Sequence, residues 1–485
     1  MSPTASAAVR RRLGHPVIDS DGHLVEFLPA FLDFLKSAGG ERVATRFQAA
    51  WNETSLSSSW YDLSPAERRD VRAIRPAFWN VPTKNTRDLA TAMFPKLMYE
   101  RLEEVGSDFA VLYPGLGLAT PVFRDEEVRR ASCRALNAMY ADTYLEFADR
   151  LTPVAVIPMH TPEEAMEELD YAIGVLGLKA IVMASYVQRP VPAVLRDHPG
   201  AIRHAFWLDT FGIDSAYDYD PVWRRCEELG VSPTFHSGGM GFTTRSSISS
   251  YMYNHIGHFA AAAEAVCKSL FLGGVTRRFP ELRFSFLEGG AGWARNLLCD
   301  LVGHWQKRNR KSMQNYDPSL LDRDQFAELF RRYGGKLAVG RELVEGSELL
   351  QTVTGTPETE ATLDEWQHCE IARVEDIRDL FVDNFYFGCE PDDPITATAF
   401  DASQNPFGEK LNVLYGSDIG HWDVPDMNDV LAEAWEPVEK GWITESDFRD
   451  FLFRNPASFW TAQNPKFFHG TAVEQDVASL LASAR

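Results

Sequence analysis

The sequence predicts an α/β protein, a (β/α)8 TIM barrel with helical insertions in the loops after strand 1 and before strand 7, and three observations predict it. Short apolar runs alternate with helical patterns, and eight such runs can be counted along the chain. Four of them close on acidic or histidine motifs: Asp19-Ser20-Asp21-Gly22-His23, His236-Ser237-Gly238-Gly239, Glu288-Gly289-Gly290 and Gly416-Ser417-Asp418. In a parallel barrel the carboxyl ends of the strands converge on one face, where such folds keep their chemistry. The chain is also long enough: 485 residues exceed the roughly 250 of a minimal barrel and leave room for long loops.

Element by element, the first strand follows Pro16 and ends at His23. Residues 24–87, rich in Trp, Phe and charge, form the first insertion. Strand 2 runs from Phe109 to Gly115, with a long amphipathic helix behind it from about Glu126 to Asp149. Strand 3 spans Leu151 to Met159; Thr161 then caps a helix that has Pro162 in its first turn. Strand 4 covers Leu178 to Ser185, and Asp220-Pro221 with Gly230 bracket the next helix. Strands 5 and 6 end at His236 and Glu288. The second insertion, 301–383, has helical periodicity at Asp324–Tyr333 and a polar centre at 352–365. Strand 7 runs from Asn384 to Glu390, and strand 8 ends at Asp418. Residues 1–14 and 471–485 are expected to be tails, the first of them mobile, around one barrel domain at 15–470. Insertions of this length usually form a lid or a subunit contact, so a homodimer, or pairing with a related chain, is expected.

Composition excludes several partners. Against 48 basic residues stand 69 acidic ones, a net charge of −21 that argues against nucleic acid and anionic membrane. Hydrophobic residues at 45% and charged residues at 24% suit an ordinary soluble enzyme with a large core, acting on a small-molecule substrate. Arg10-Arg11-Arg12 is not followed by an apolar stretch, so no secretory signal is expected, nor any membrane-spanning helix. The six cysteines (133, 226, 267, 299, 369, 389) show no CxxC spacing and read as reduced thiols in a cytoplasmic protein.

The candidate site follows from the strand ends. Asp21 and His23 lie two apart on one strand face, and with His236, Glu288 and Asp418 they bring two imidazoles and three carboxylates to one point. That donor set makes a divalent-metal site for one or two ions of Zn, Mn or Fe. Alternatives stay open: Glu288 can instead cap the helix beginning near Trp293, and Asp418 can cap the next turn. Asp19 reads as a buried hydrogen-bond acceptor. His255 and His258, three apart on one predicted helix face, and His421, three beyond Asp418, are candidates for further ligands or for partners of the ligands.

These motifs, in this order, resemble the amidohydrolase superfamily, in particular the amidohydrolase-2 group of metal-dependent hydrolases and non-oxidative decarboxylases. The resemblance runs from about Val17 to Trp460. It rests on the opening DxH, on His236 in its HSGG turn, and on Arg278-Phe279-Pro280-Glu281-Leu282-Arg283 leading into Leu287-Glu288-Gly289-Gly290-Ala291-Gly292-Trp293. Gly416-Ser417-Asp418 and Asn455-Pro456-Ala457 complete it. It implies Asp21, His23, His236 and Asp418 as metal ligands, with Asp418 also the general base and Glu288 a ligand or proton relay. Two departures bear on function. Many relatives open with HxH, where this chain has an aspartate, and the decarboxylases of the group carry a histidine where this chain has Glu288. A carboxylate cannot protonate or polarise as an imidazolium does, but it can bridge metals. The implied function is therefore a metal-dependent hydrolase. The alternatives are a dinuclear Fe/Fe or Fe/Mn monooxygenase on the same barrel, a decarboxylase and, last, a non-catalytic binding protein.

Overall fold

Eleven strands are found among the described residues, and nine of them trace the wall of a barrel. The computed structural model of the chain describes residues 3–54, 57–77, 84–236, 244–341 and 363–483. β1 (Ile18–Leu24) pairs in parallel with β2 (Phe109–Pro114), and β2 with β3 (Leu151–Pro153). β3 and β4 (Ala155–Ile157) are one strand interrupted at Val154, whose N–H donates to the Leu112 carbonyl at 3.0 Å. From β4 the order continues through β5 (Ile181–Met183), β8 (Thr234–Phe235), β9 (Phe284–Phe286), β10 (Phe385–Cys389) and β11 (Asn412–Tyr415), all parallel. Beyond β11 the ends meet: Asp418 N–H donates to the Asp21 carbonyl at 2.9 Å and His23 N–H to the Ile419 carbonyl at 2.7 Å. Eight barrel strands thus end within three residues of the positions the sequence predicts. The remaining pair, β6 (Val187–Pro190) and β7 (Phe206–Asp209), is an antiparallel ribbon outside the barrel that the sequence reading did not foresee. Each strand has only four residues and β6 carries Pro190, so the runs are too short for a period to mark them.

The helices form where capping chemistry allows. Thr161 accepts from Glu164 N–H at 3.2 Å with Pro162 in the first turn, and Gly230 ends the helix Asp220–Leu229 at φ 68°. Between strands and helices lies an aromatic layer: Phe235, Phe284, Phe286 and Phe387 pack against Trp223, Trp293 and Phe381 of three surrounding helices. Alternation sends the intervening residues inward. Tyr113 of β2 donates across the interior to Thr234 of β8 at 3.0 Å, which closes the barrel beneath the strand ends.

Both insertions are helical where described. The first begins with the helix Leu28–Asn52, broken at Gly40 (φ 78°), which packs along Glu126–Tyr144. The second contains the helix Arg323–Tyr333; most of its expected polar centre, 352–362, lies outside the described residues. The expected tails are corrected. Thr4 caps a helix at Ala5–Arg10 that buries Val9, and Ser6 N–H donates to the Asn428 carbonyl. A second helix at Glu474–Ser483 buries Val477 and Leu480. One or two buried apolar side chains per helix, too few to give a sequence signal, tie these ends down. Among the described residues no helix is long and apolar enough to cross a membrane.

Candidate metal centre

A bulge in β1 aims the first two site residues. Asp19 pairs with Ala110 but Gly22 with Leu112, so one extra residue is inserted on the β1 side and the strand turns there. Gly22 is required at the bulge, since a Cβ would lie 2.9 Å from a carboxylate oxygen of Asp19. Gly416 likewise lets β11 approach: a Cβ there would meet the Asp21 Cβ at 2.6 Å. Glu288 and Asp418 then turn inward through left-handed backbone, at φ 55° and 52°.

Six side chains meet at this end. Nε2 of His23 lies 3.6 Å from Asp21 Oδ1 and 3.2 Å from Asp418 Oδ1. His236 Nε2 lies 2.7 Å from Glu288 Oε2, and His421 Nδ1 lies 2.6 Å from Asp418 Oδ1 and 3.4 Å from Glu288 Oε1. The His421 ring stacks on His23, with centroids 3.7 Å apart. The donor atoms fall into overlapping groups, each within 4.8 Å: Asp21, His23 and His236; then His23, Glu288, Asp418 and His421. All five predicted ligands are brought together, and His421 joins them.

These residues fit a cation. Asp21, His23, His236, Glu288 and Asp418 are all at most 7% exposed. Outside the contacts these residues and His421 make with one another, Asp21 Oδ1, both ring nitrogens of His236, Glu288 Oε2 and both oxygens of Asp418 have no hydrogen-bond partner. Burying so many unsatisfied acceptors is costly unless an ion collects them. The electrostatics without an ion show that demand. Burial, then Glu288 and Asp19, push Asp21 well above the usual carboxylate range. Burial raises Asp418 too, with Glu288 adding and His421 opposing. Burial, with His421 and His236, holds His23 well below the ordinary imidazole value. Burial works against a charged His421, but Asp418 and Glu288 outweigh it and raise that ring. Burial likewise works against an ionised Glu288, and His421 and His236 outweigh it and lower that carboxyl.

Contrary to expectation, His255 and His258 do not share one helix face. Gly257 at φ 69° separates the helices Tyr251–His255 and His258–Leu272. Among the described residues neither belongs to a donor group. His255 instead packs against Trp422 and Tyr251, with centroids at 5.4 and 5.3 Å, in an aromatic wall that Phe259 extends toward His236. Asp19 is the acceptor it was read as: Ser417 donates to it through N–H at 2.9 Å and through its hydroxyl. Two acidic residues were missed. Glu390 and Asp423 join Glu288 and Asp418 in a third group within 4.8 Å. Glu390 closes its apolar strand as Glu288 and Asp418 close theirs, and that pattern was the available signal. Burial, Glu288 and Asp423 push its carboxyl well above the usual range.

A parallel barrel with imidazoles and carboxylates gathered at its strand ends defines a class, the barrels with a candidate metal centre at the catalytic face. The amidohydrolase family model, Amidohydro_2, matches residues 18–327, and the chain belongs to that family. Similar solved structures include an amidohydrolase from Mycobacterium avium subsp. paratuberculosis K-10, 17% identical with a TM-score of 0.48, covering 92% of this chain and 100% of the other. A dihydroxybenzoic acid decarboxylase from Polaromonas sp. JS666, with bound manganese and 2-nitroresorcinol, is 13% identical with a TM-score of 0.49, over 94% and 99%. A 5-carboxyvanillate decarboxylase from Novosphingobium aromaticivorans DSM 12444, complexed with manganese and a nitrobenzoic acid, is 14% identical with a TM-score of 0.45, over 92% and 96%.

Proposed function

We propose a metal-dependent hydrolase with two adjacent ion positions that acts on a small organic substrate. One observation carries this reading: the two oxygens of Glu288 face different donor groups, Oε2 toward His236 and Oε1 toward His421. Asp21, His23 and His236 would hold one ion, Asp418 and His421 the other, and Glu288 would bridge them. Charge supports the count. Three carboxylates leave −1 around one divalent ion and +1 around two, which a hydroxide or an anionic group neutralises.

The ions, Zn, Mn or Fe, would supply Lewis acidity and bring the pKa of a coordinated water toward about 7. Asp418 is turned by its left-handed backbone into the donor set, where its Oδ1 lies 3.2 Å from His23 Nε2 and 2.6 Å from His421 Nδ1. It takes the proton from the attacking water and delivers it to the leaving group. Asp19, through Ser417, fixes the segment that carries Asp418. Tyr113 and Thr234 close the interior below the site.

A dinuclear oxygenase is the second reading, favoured by a donor set of three carboxylates and three imidazoles, which suits iron and manganese. A decarboxylase has less support, because the resemblance puts a histidine in the group's decarboxylases where this chain has Glu288. Metal content per chain, with turnover of small amides, esters and lactones measured in air and under argon, tests the set. Two ions and oxygen-independent hydrolysis support the proposal. Two ions including iron, with turnover that stops under argon, select the oxygenase. One ion or none per chain refutes the paired positions.

A further inference from the structure

The second insertion carries an apolar face that the folded chain leaves open. Phe326, Leu329, Phe330 and Tyr333 recur at helical spacing along one side of the helix Arg323–Tyr333, yet no side chain of that helix is buried. The apolar surface continues beyond both ends of the helix: Leu320 is 67% exposed and Leu337 73%, with Tyr333 between them at 66%. So short a helix gains most of its stability by packing its apolar face, and an open one is a surface for another molecule. Residues 307–341 also hold nine basic and four acidic side chains, a net +5 in a chain of −21, so the remainder sums to −26. Arg323, Arg331, Arg332 and Lys336 are all exposed among the apolar side chains.

Charge decides the occupant. Two such arms set against each other would bring +5 to +5 and repel. An anionic membrane would attract the arm but repel the −26 that travels with it. The chain has an acidic counterpart of its own. Asp392, Asp426, Asp429, Glu433 and Glu436 are exposed together around the start of the helix Val430–Glu439. Burial and the other four carboxylates push Glu433 above its usual range. Among the described residues the one cation paired with these five is Lys440, 2.6 Å from Glu436. Arm and patch are both exposed, so a chain does not cover its own patch with its own arm. The arm leaves the distal end of the 17-residue helix Gly292–Arg308, whereas the patch lies in the segments that follow β10 and β11 at the catalytic face. Two copies side by side, turned end for end, therefore set each arm on the other's patch about one two-fold axis.

We propose that the second insertion is a dimerisation arm, whose helix Arg323–Tyr333 docks through its apolar and basic side chains on the acidic start of the helix Val430–Glu439 in a second copy of this chain. The apolar side chains supply the buried area and the cations select the place, since complementary charge fixes register more than strength. The pairing is independent of the chemistry at the metal centre.

Light scattering on the full-length, metal-loaded protein at about 10 μM tests the pairing, with circular dichroism as the check on folding. The wild type should have twice the 54.6 kDa of one chain. The arm variant Arg323→Glu, Arg331→Glu, Arg332→Glu and the patch variant Asp429→Lys, Glu433→Lys should each weaken association by about 100-fold or more and run as monomers. An equimolar mixture of the two should return to the dimer mass, because the reversed arm then meets the reversed patch and the natural arm the natural one. A wild-type monomer, a dimer that survives either reversal, or a mixture that stays monomeric overturns the assignment. Carbodiimide cross-linking of the wild type reads the same contact without substitution. The expected covalent dimer joins a lysine within 307–341 to a carboxylate within 426–436, and a covalent dimer without that peptide pair refutes the contact. Binding of a monomeric wild type to phosphatidylserine vesicles, lost in the arm variant, would give the arm to a membrane and also overturn the pairing.

Discussion

Two sets of buried carboxylates sit a few residues apart in this barrel, and they are treated in opposite ways. Asp19 and Glu26 are supplied by the protein itself. Asp19 receives Ser417 N–H, the Ser417 hydroxyl and Asp21 N–H, while Glu26 receives Leu116 N–H at 2.8 Å, Gly117 N–H at 3.0 Å and the Tyr140 hydroxyl at 2.6 Å. Asp21, Glu288 and Asp418 are just as buried, yet outside the site's own histidines their open acceptors meet no donor. Burial of an acid is therefore not what marks a site. An acid left without donors, where the fold could have provided them, is reserved for something from outside.

The largest effect expected from that contrast is at Asp418. Asp418→Asn keeps the shape and removes charge and basicity, so turnover should fall to background, on the order of 10²–10⁴-fold or more, with an unaltered circular dichroism spectrum. Wild-type turnover in a folded variant would break the contrast at its centre. Next is Glu288→Gln. An amide bridges metals poorly, so one ion per chain and all activity should disappear together. Retention of both ions, read by metal analysis, would refute the bridge.

The protein-satisfied set should behave in the other way. Asp19→Asn turns a donor toward groups that already donate, and should cost about 1–3 kcal/mol of stability while ion stoichiometry stays at the wild-type value. If this variant emptied the centre instead, Asp19 would belong with the ligands. The smallest effect is in the pH dependence at Glu26. Burial raises its carboxyl above 4.5 in the folded protein. Folding therefore binds a proton more tightly there, and the contribution of Glu26 to stability falls as pH rises from 4.5 through the raised value. The melting temperature of wild type minus that of Glu26→Gln should accordingly be larger at pH 4 than at pH 7. A gap that widens toward pH 7 would reverse the sign.

The barrel was legible because each parallel strand is a short apolar run with a polar full stop, and those stops carry the chemistry. Asp21, His23, His236, Glu288 and Asp418 were all found that way. His421 was visible only as a neighbour of Asp418, since the turn that folds it back depends on the left-handed Asp418 and on Gly420 at φ 96°. Glu390 ended its strand in the same manner and was passed over for want of a family motif. The helix break at Gly257 escaped because glycine is tolerated within helical patterns. The helices at both chain ends and the β6–β7 ribbon depend on tertiary contacts, to which local periodicity is blind.

The left-handed backbone at Glu288 and Asp418 has a consequence for heat resistance. A non-glycine residue in that region gives up about 1–3 kcal/mol, and here it happens twice, each time beneath an uncompensated charge. Without its ions, Asp418→Gly should melt at a higher temperature than the natural chain and have no activity at all. Selection for thermostability alone would therefore drift toward an inert barrel. An aspartate held at that backbone cost is what a chain retains for activity and not for stability.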